Sequence, residues 1–543
     1  MKKKQEIQPI DRTELIWPEK RKEVERVELP FQTIETINLP RGKRQDSVFD
    51  VSNQQQKLIK DKKEQTILGT NERNFSWKNR LIWGDNLLII GSLLKEFAGK
   101  INLIYIDPPF ATGDDFSFTV NIGDQTEITK EPSALEVKAY RDTWGKGMQS
   151  YLQMMYDRLV LMKELLADDG TIYVHLDYHV GHYVKLMMDE IFGRDNFRNE
   201  IIWAYTGPAR KVKDFPDKHD VILRYSKTDN YFLNLDAIRI PYSESFLERR
   251  KYTEGTGGIY ADRERGEETT KEYKKGKLPE DWWADIPSGG QISVNELVGY
   301  QTQKPEKLLD RIIKSSSKEG DLVADFFCGS GTTGVVADKL GRRWIMSDLG
   351  RFAIHTSRKR FLDIAAKPFI VQNLGKYERH RWVQLNGRYK NYLKFILELY
   401  HAEQIEGFTN LHGKKDRAFV HIGAVDAPIT LSEIREALSE CKENKIKALD
   451  VLGWEWEMGL HDLVKEEAER YGVKLSTFQI PREVMELNVS DPKVKEDIHF
   501  YELAYLEVVP KTEGKRVTIT LKDFIIPNPE LLPEEVKGKV NCY

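Results

Sequence analysis

Short apolar runs that end in turn residues alternate along the chain with stretches of helical spacing. The run 101–106 (INLIYI) ends at Asp107-Pro108, and the run 171–176 (TIYVHL) ends at Asp177. Runs of this length between turn residues are typical of buried parallel strands, whereas the apolar positions of 87–97 recur with the period of a helix. The pattern predicts an α/β protein with a mainly parallel sheet.

The alternation stops near residue 200 and returns near residue 304. The returning elements are a helix, a strand, a helix and a strand, at 304–314, 321–327, 333–340 and 344–348. A third stretch is predicted to be strand, helix, strand, helix and strand, at 418–425, 431–443, 448–456, 460–471 and 474–480. The chain therefore divides into segments with the bounds 1–75, 76–199, 200–298, 299–375 and 376–543.

The first and third of these segments lack the alternation. Residues 1–75 are polar and rich in Lys, Gln and Glu, and the stretch 54–65 (QQQKLIKDKKEQ) has little to bury, so we expect an extended, partly disordered arm. Residues 200–298 carry scattered aromatic, basic and glycine residues without a repeating period. We expect them to be an irregular insertion between two halves of one α/β domain, and 376–543 to be a further α/β domain.

Composition excludes several classes of protein. Lys and Arg number 83 against 86 for Asp and Glu, so a globally basic nucleic-acid binder is excluded and any basic surface must be local. Cys328, Cys441 and Cys542 are far apart in sequence, which argues against a disulfide framework or a structural zinc site. The sequence shows neither a secretory signal nor an apolar run of about 18 residues, so we expect a cytoplasmic protein without membrane contact.

A glycine-rich turn joins a predicted strand to a predicted helix at 322–334 (LVADFFCGSGTTG). Its glycines allow a sharp turn and a close approach of a ligand to the backbone, and the start of the helix offers N–H groups. Asp348 ends the next strand, about 20 residues after Gly329, where a carboxylate accepts hydrogen bonds from a ribose diol. Alone, the motif fits a dinucleotide site, an S-adenosylmethionine site or a structural turn.

Asp325 shifts the balance towards S-adenosylmethionine. It lies at the strand end just before the glycines, where its carboxylate would hold the amino group of a methionine moiety and would repel a diphosphate. The strands after this turn are also too few for a complete dinucleotide fold. The missing strands are therefore expected upstream.

A second motif, Asp107-Pro108-Pro109-Phe110, follows the apolar run 101–106. Asp107 and the Pro108 carbonyl can each accept a hydrogen bond from an aromatic amino group, which makes the nitrogen lone pair more available. The two prolines stiffen the loop, and Phe110 offers a flat face on which a flipped base stacks. Alone, the motif also fits a rigid structural turn. Together with the glycine-rich turn, it predicts amino-group chemistry on a base.

DPPF followed by a later DFFCGSGTTG resembles the DNA amino-methyltransferases. The order of the two motifs resembles their permuted beta class, which includes the modification subunits of type III restriction systems. The resemblance covers roughly residues 78–365. It implies a doubly wound, Rossmann-like methyltransferase fold, S-adenosylmethionine as the cofactor and a target-recognition region at 200–298. It also implies adenine as the target, because the cytosine-amino enzymes of the family more often carry SPPY.

Two further segments fall in register with this family. Asp85, in NRLIWGDN, resembles the acid that reaches the cofactor adenine, and Lys304, in YQTQKP, resembles the residue that holds the methionine carboxylate. The cofactor-binding residues implied in this way are Asp85, Gln303, Lys304, Asp325, Phe327, Gly329, Gly331, Thr332 and Asp348. The catalytic residues implied are Asp107, Pro108, Pro109 and Phe110.

Local positive charge suggests where DNA is contacted. Residues 205–227 hold six basic residues against three acids, although the whole chain is nearly neutral. We expect Arg210, Lys211 and Lys213 to contact DNA phosphates, with a solvated loop as the alternative.

Three histidines, His175, His179 and His182, cluster near one predicted strand end. Metal ligation needs a fourth ligand and convergent geometry, and strand-end histidines are usually structural or on a polar surface. The chemistry of the family needs no metal, so no metal site is expected.

The sequence thus predicts a site-specific methyltransferase that modifies the N6 amino group of adenine in double-stranded DNA. The alternatives are N4 methylation of cytosine, methylation of RNA, and a nicotinamide-dependent oxidoreductase argued from the glycines and Asp348 alone. A restriction nuclease subunit and a second copy of the chain are the protein partners considered. The C-terminal unit is expected to serve dimerisation, DNA contact or docking of that nuclease. Proteins of this family often extend further, which leaves the completeness of the C-terminus open.

Overall fold

The computed structural model describes residues 14–37, 77–109, 118–122, 126–130, 148–205, 215–243, 276–288, 296–300, 302–375, 389–425, 427–457, 467–481, 500–502, 505–513 and 516–525, with a few isolated positions between these ranges. The chain divides into two units, Met1–Leu374 and Gly375–Tyr543. This division lies one residue from the boundary expected from the sequence.

The strands of the first unit are β1 (Gln32–Ile37), β2 (Asn79–Trp83), β3 (Ile101–Ile106), β4 (Phe118–Ile122), β5 (Thr126–Lys130), β6 (Leu166–Leu176), β7 (Phe197–Ala204), β8 (His219–Ser226), β9 (Trp282–Trp283), β10 (Leu322–Asp325), β11 (Arg343–Asp348) and β12 (Phe369–Asn373). In the described part of this unit, β4 and β5 form a hairpin, and the other ten strands form one sheet in the order β1-β12-β2-β11-β10-β3-β6-β8-β7-β9. The six neighbouring strands β12, β2, β11, β10, β3 and β6 are parallel to one another, as their apolar runs predict.

In the described residues of the first unit, the α-helices are α1 (Asn86–Phe97), α2 (Met148–Leu165), α3 (Gly181–Phe192), α4 (Glu306–Ser316), α5 (Thr332–Lys339) and α6 (Arg351–Asp363). They cover both faces of the sheet. Because side chains alternate along a strand, Ile104 of β3 packs with α1, α2 and α3, whereas Leu103 packs with α4, α5 and α6. This three-layer arrangement confirms the predicted doubly wound α/β fold. Of the helices that the structure describes, none has the length and apolar character needed to cross a membrane.

The direction of winding reverses between β10 and β3. β10 leads through α5 to β11 on one side, whereas β3 leads through α2 to β6 on the other. Where strand order reverses in this way, the carboxyl ends of the two strands border a crevice in which open α/β sheets bind ligands. The strand with the glycine-rich turn comes later in the chain than its neighbour β3, which is the permuted order expected.

Residues 14–37, here called the strap, belong to the expected polar arm but pack on the first unit. β1 pairs antiparallel with β12 at the edge of the sheet, and Trp17 is buried against Tyr156. The strap runs so close to α1 that a Cβ added to Gly91 would lie 2.6 Å from the Val27 oxygen. The strap is therefore extended, as expected for the arm, but apolar side chains spaced between the charges anchor it to the first unit.

The segment expected to be an irregular insertion contributes three strands to the sheet. β8 pairs antiparallel with β6, β7 pairs with β8, and β9 follows β7. Ile201, Trp203 and Ile222 of these strands are buried in the core. The prediction that regular structure is lost from residue 200 is therefore wrong. Buried or half-buried polar residues such as Asp220 and Arg224 interrupt the apolar pattern of β8 and hid it from sequence analysis.

The elements of the second unit are α7 (Tyr389–Leu399), β13 (Glu403–Gln404), β14 (Gly413–Lys415), β15 (Ala418–Ile422), α8 (Leu431–Glu443), β16 (Ala448–Gly453), β17 (Lys474–Gln479), β18 (Tyr501–Glu502), β19 (Tyr505–Glu513) and β20 (Arg516–Ile525). β13 to β18 form one sheet in chain order, and β19 pairs with β20. β15, β16 and β17 are parallel, as a βαβαβ pattern requires. The helix expected at 460–471 lies mostly outside the described residues.

Candidate active site

Two aspartates from distant parts of the sequence lie at the ends of neighbouring strands. Asp325 ends β10 and Asp107 follows β3, and the two strands are parallel, with Val323 beside Leu103. The carboxyl ends of parallel strands meet at one edge of a sheet, so both aspartates border the crevice at the point where the winding reverses. The structure therefore brings together the two motifs that the sequence singled out.

The glycine-rich turn requires glycine at position 331. Gly331 has a φ of 76° and is the N-cap residue of α5. A side chain is disfavoured in this left-handed region, and a Cβ at this position would lie 2.6 Å from Ser357 Oγ. Gly329 also has a positive φ, of 49°. The turn thus presents backbone and the first N–H groups of α5, which is the arrangement that binds polar ligands at helix N-termini.

Asp348, at the end of β11, holds this turn in place. Its Oδ2 accepts a hydrogen bond from the Gly329 N–H at 2.8 Å, and its Oδ1 accepts one from the Gly350 N–H at 2.8 Å. Each carboxylate oxygen can accept a second hydrogen bond. The ribose contact predicted for Asp348 is compatible with these bonds.

Asp325 is buried under the turn. Its Oδ2 accepts from Thr333 Oγ1 at 2.6 Å, and its Oδ1 accepts from the N–H of the half-buried Phe327 at 3.0 Å. Burial raises the pKa of Asp325 to about 7; the two hydrogen bonds oppose this rise, and the charges of Asp107 and Asp348 add to it. An approaching cation favours the ionised form of such a carboxyl group. The contact between Asp325 and the methionine amino group stays a prediction.

Asp107 forms an ion pair with Lys304, whose Nζ donates to Asp107 Oδ2. Both side chains are largely shielded from solvent, at 16% and 15% exposed. Asp107 Oδ1 lies on the side of His175, 3.9 Å from His175 Nδ1. The sequence assigned Asp107 to the target amino group and Lys304 to the cofactor carboxylate. Their contact places these two predicted subsites next to each other, as transfer between two bound molecules requires.

The structure describes the second motif as far as Pro109 and does not describe the three basic residues predicted to contact DNA. Pro108 is buried and Pro109 is half-buried directly after Asp107. The predicted site residues that lie outside the described residues are Phe110, Arg210, Lys211 and Lys213. Base stacking and phosphate contact by these four residues stay predictions.

Asp85 caps α1 and pairs with an arginine that the sequence did not reveal. Its Oδ1 accepts from the Leu87 N–H at 2.8 Å and from Arg158 Nη2 at 2.8 Å. Arg158 also donates through Nε to Asn86, whose amide donates to the Phe326 oxygen at 2.9 Å. These contacts tie Asp85 to the segment before the glycine-rich turn. The Asp85 side chain remains 36% exposed, which leaves room for its predicted contact with the cofactor adenine.

Gln303 shapes the segment that carries Lys304. Its side chain is buried, its Nε2 donates to the Glu296 oxygen at 2.7 Å, and its Oε1 accepts from the Val298 N–H at 3.0 Å. Both ends of the amide are therefore bonded to the backbone before α4. The cofactor contact that the resemblance implies for Gln303 stays a prediction.

Thr332 and a buried arginine connect the turn to the same segment. Thr332 Oγ1 donates to the Lys304 oxygen at 3.2 Å and accepts from Arg360 Nη1 at 2.9 Å. Arg360 also donates to the Ser330 oxygen at 3.1 Å. The sequence analysis missed Arg360. The available signal was its helical spacing from Ser357, which is buried on the same face of α6.

The charges of the crevice fit a cationic nucleoside better than a dinucleotide. Its described acids are Asp85, Asp107, Asp325 and Asp348, and its basic residues include Lys304 and Arg158. An excess of carboxylates repels a diphosphate and attracts the sulfonium and ammonium groups of S-adenosylmethionine. The residues present therefore fit this cofactor.

Comparison with known proteins agrees with this geometry. Residues 101–359 match the model of a family of N6/N4 methyltransferases described as DNA methylase. The chain is 32% identical over 333 residues to the type II methyltransferase M.EcaI of Enterobacter cloacae, which covers 52% of this chain and 69% of that protein. It is 28% identical over 323 residues to the Mod subunit of the type III restriction-modification enzyme StyLTI of Salmonella typhimurium strain LT2, covering 47% of this chain and 49% of that protein.

A third relative is smaller. The chain is 26% identical over 310 residues to the DNA adenine methyltransferase YhdJ of Escherichia coli strain K12, covering 57% of this chain and 90% of that protein. The matched part of the chain thus corresponds to most of YhdJ but to about half of the StyLTI Mod subunit.

Proposed function

The chain belongs to this family of DNA methylases, and on that premise we propose that it transfers a methyl group from S-adenosylmethionine to the N6 amino group of adenine in DNA. Membership of the family confirms the predicted cofactor and removes the nicotinamide-dependent alternative. The single observation that carries the proposal is the position of Asp107, an acceptor for an amino group, beside the glycine-rich turn.

The support for adenine comes from two sources. YhdJ, a DNA adenine methyltransferase, is matched over 90% of its length. The motif Asp107-Pro108-Pro109-Phe110 also resembles the form that favours adenine over cytosine. N4 methylation of cytosine is the outcome that the experiment below distinguishes.

The chain's own groups prepare the amino nitrogen. Lys304 binds Oδ2 of Asp107, which leaves Oδ1 to accept one N–H of the target amino group, and the Pro108 carbonyl accepts the other. Both hydrogen bonds draw the nitrogen out of conjugation with the base and favour it as a nucleophile. The cofactor supplies an electrophilic methyl group when bound. Asp107 or water then takes the proton that the nitrogen loses.

Partners beyond DNA are part of the proposal. The similarity to the StyLTI Mod subunit supports a restriction nuclease subunit as a partner, although the chain matches about half of that protein. We propose a cytoplasmic location, where the DNA substrate and the cofactor are both present. Light scattering during size-exclusion chromatography measures whether the chain forms the homodimer considered above.

The reaction is tested by incubating the purified protein with methyl-labelled S-adenosylmethionine and unmethylated genomic DNA, followed by mass spectrometry of the nucleosides. We expect label in N6-methyldeoxyadenosine. Label in N4-methyldeoxycytidine would support methyl transfer to an amino group but would show that the target base is cytosine and not adenine. A protein that binds the cofactor and labels neither nucleoside in genomic DNA would contradict the proposal.

A further inference from the structure

A buried polar cluster adjoins Asp107, and its histidine has no role in the reaction described so far. His175 follows Val174 of β6, which pairs with Ile106 of β3, so His175 lies beside Asp107 at the edge of the sheet. The imidazole is fully buried. Its Nδ1 lies 2.8 Å from the Tyr105 hydroxyl and 3.9 Å from Asp107 Oδ1. The imidazole therefore lies next to Oδ1 of Asp107, the oxygen that accepts the target amino group in the proposed reaction.

Asp220 holds the other ring nitrogen, with Oδ2 3.2 Å from His175 Nε2. Burial raises the pKa of Asp220, but the interactions with His175, Lys304 and Tyr205 together outweigh it and bring the pKa below its ordinary value. An ionised carboxylate only accepts hydrogen bonds, so Nε2 carries a proton and donates to Asp220. Asp220 thus fixes the orientation of the imidazole.

The cluster continues into the strands that border the predicted recognition region. Asp220 lies near the start of β8, and the hydroxyl of Tyr205, just after β7, donates to Asp220 Oδ1 at 3.2 Å. The Tyr205 N–H donates to the Lys218 oxygen at 3.0 Å, which joins the two strands at this end. A set of polar contacts therefore runs from this strand pair through His175 to Asp107.

We propose that His175, oriented by Asp220, is a positioning residue for methyl transfer that holds the Asp107 carboxylate in the orientation that accepts the target amino group. This inference rests on the proposed function. Lys304 binds Oδ2 and the imidazole lies next to Oδ1, so both neighbours limit the rotation of the carboxylate. Without the imidazole, or with a misoriented one, the carboxylate rotates. The transfer step then slows while cofactor binding is preserved.

Two variants and one matched control test this role. His175→Asn removes the contact with Asp220, and Asp220→Ala removes the anchor while leaving the imidazole. Tyr225→Phe is the control, because it removes a buried hydroxyl–carboxylate hydrogen bond of 2.6 Å to Asp189 from the opposite end of β8. Each protein receives methyl-labelled S-adenosylmethionine and unmethylated genomic DNA under single-turnover conditions. The rate of label transfer, the Kd for S-adenosylmethionine and the unfolding midpoint are measured.

We expect both variants to transfer label about 10- to 100-fold more slowly than the wild type, with an unchanged Kd for the cofactor, whereas Tyr225→Phe keeps the wild-type rate. A folded His175→Asn or Asp220→Ala protein with the wild-type rate would overturn the inference. A parallel loss of cofactor affinity and rate would also overturn it, because it indicates general damage to the crevice. The assay counts methyl groups on either base. A wild-type protein without transfer contradicts the proposed function itself, whereas an active wild type with unaffected variants contradicts this inference alone.

Discussion

Asp107, Asp325 and Asp348 border one crevice, but their surroundings differ. Asp107 is bound by a lysine, Asp348 accepts two backbone N–H groups, and Asp325 is buried with one hydroxyl and one N–H. Because a buried carboxyl group resists ionisation, Asp325 gains a proton at a much higher pH than an exposed aspartate does. The three aspartates at these strand ends therefore differ in their hydrogen-bond partners, and Asp325 also differs in its ease of ionisation.

The raised pKa of Asp325 predicts a specific dependence of stability on pH. The folded chain keeps this proton up to about pH 7, whereas the unfolded chain loses it near pH 3.8. The contribution of Asp325 to stability is thus fully present below the unfolded value and is lost as pH rises through the folded value. Asp325→Asn cannot titrate. We expect the free energy of unfolding of the wild type, relative to this variant, to fall from about pH 4 to about pH 7 and then level off. A constant difference across this range, measured by denaturant titration, would contradict the assignment.

Gly331 offers a test of the turn with a matched control in Gly320. Gly331 has a φ of 76° and Gly320 a φ of 83°, but a Cβ at 320 meets nothing within 4 Å, whereas at 331 it would clash with Ser357. Alanine at either site carries a backbone strain of about 1–2 kcal/mol. We expect Gly331→Ala to weaken the binding of S-adenosylmethionine at least tenfold in isothermal titration, and Gly320→Ala to leave it unchanged. Equal affinities of the two variants would show that the turn does not shape the cofactor site.

The sequence predicted the residues whose role follows from their place at a strand end. Asp107, Asp325 and Asp348 each terminate an apolar run beside a turn, and the structure places all three at the crevice. Arg158 and His175 were not assigned a role, because their partners come from other elements. Arg158, for example, meets Asp85 across 73 positions of sequence. No local pattern distinguishes such a residue from a surface arginine.

At the scale of elements, the strap and the strands β7 and β8 departed most from the expectation. The parallel strands from β12 to β6 were predictable, because burial on both faces makes them continuous apolar runs. β8 pairs antiparallel at the outer part of the sheet and carries Asp220 and Arg224, which serve contacts within the protein. The apolar residues of the strap are separated by charged ones, and its packing adds ion pairs with α2 and α3 that only the folded chain creates.

A buried and an exposed set of ion pairs in the strap predict unequal effects on stability. Lys20 contacts Glu14 at 3.1 Å and Glu190 at 2.7 Å, and all three side chains are less than 10% exposed. Arg26 contacts Glu164 at 2.8 Å but is 65% exposed. We expect Lys20→Ala to lower the free energy of unfolding by about 1–3 kcal/mol, because it leaves the shielded carboxylate of Glu190 without its lysine, whereas Glu14 keeps its contact with Lys22. Arg26→Ala should cost less than about 1 kcal/mol. Equal effects in denaturant titration would show that the strap is not packed as described.

At the scale of the whole molecule, every described residue of the crevice belongs to the unit Met1–Leu374. The second unit has its own sheet and its own buried clusters. A truncated chain of residues 1–374 therefore retains every described residue of the predicted cofactor site and the sheet that supports it.

We expect this truncated chain to bind S-adenosylmethionine with the affinity of the full chain in isothermal titration. Its rate of DNA methylation then reports what the second unit adds. A folded fragment without cofactor affinity would show that the second unit completes the site, contrary to this account.

The most direct test of the central claim is Asp107→Ala, compared with the wild type and with Asp229→Ala. Asp229 is 94% exposed and serves as a control for the loss of one aspartate. The rate of methyl transfer into unmethylated DNA in a single turnover and the Kd for S-adenosylmethionine are measured for each protein. The account predicts that Asp107→Ala lowers the rate by at least about 100-fold while cofactor binding persists, and that Asp229→Ala behaves as the wild type. A folded Asp107→Ala protein that transfers methyl groups at close to the wild-type rate would contradict the account.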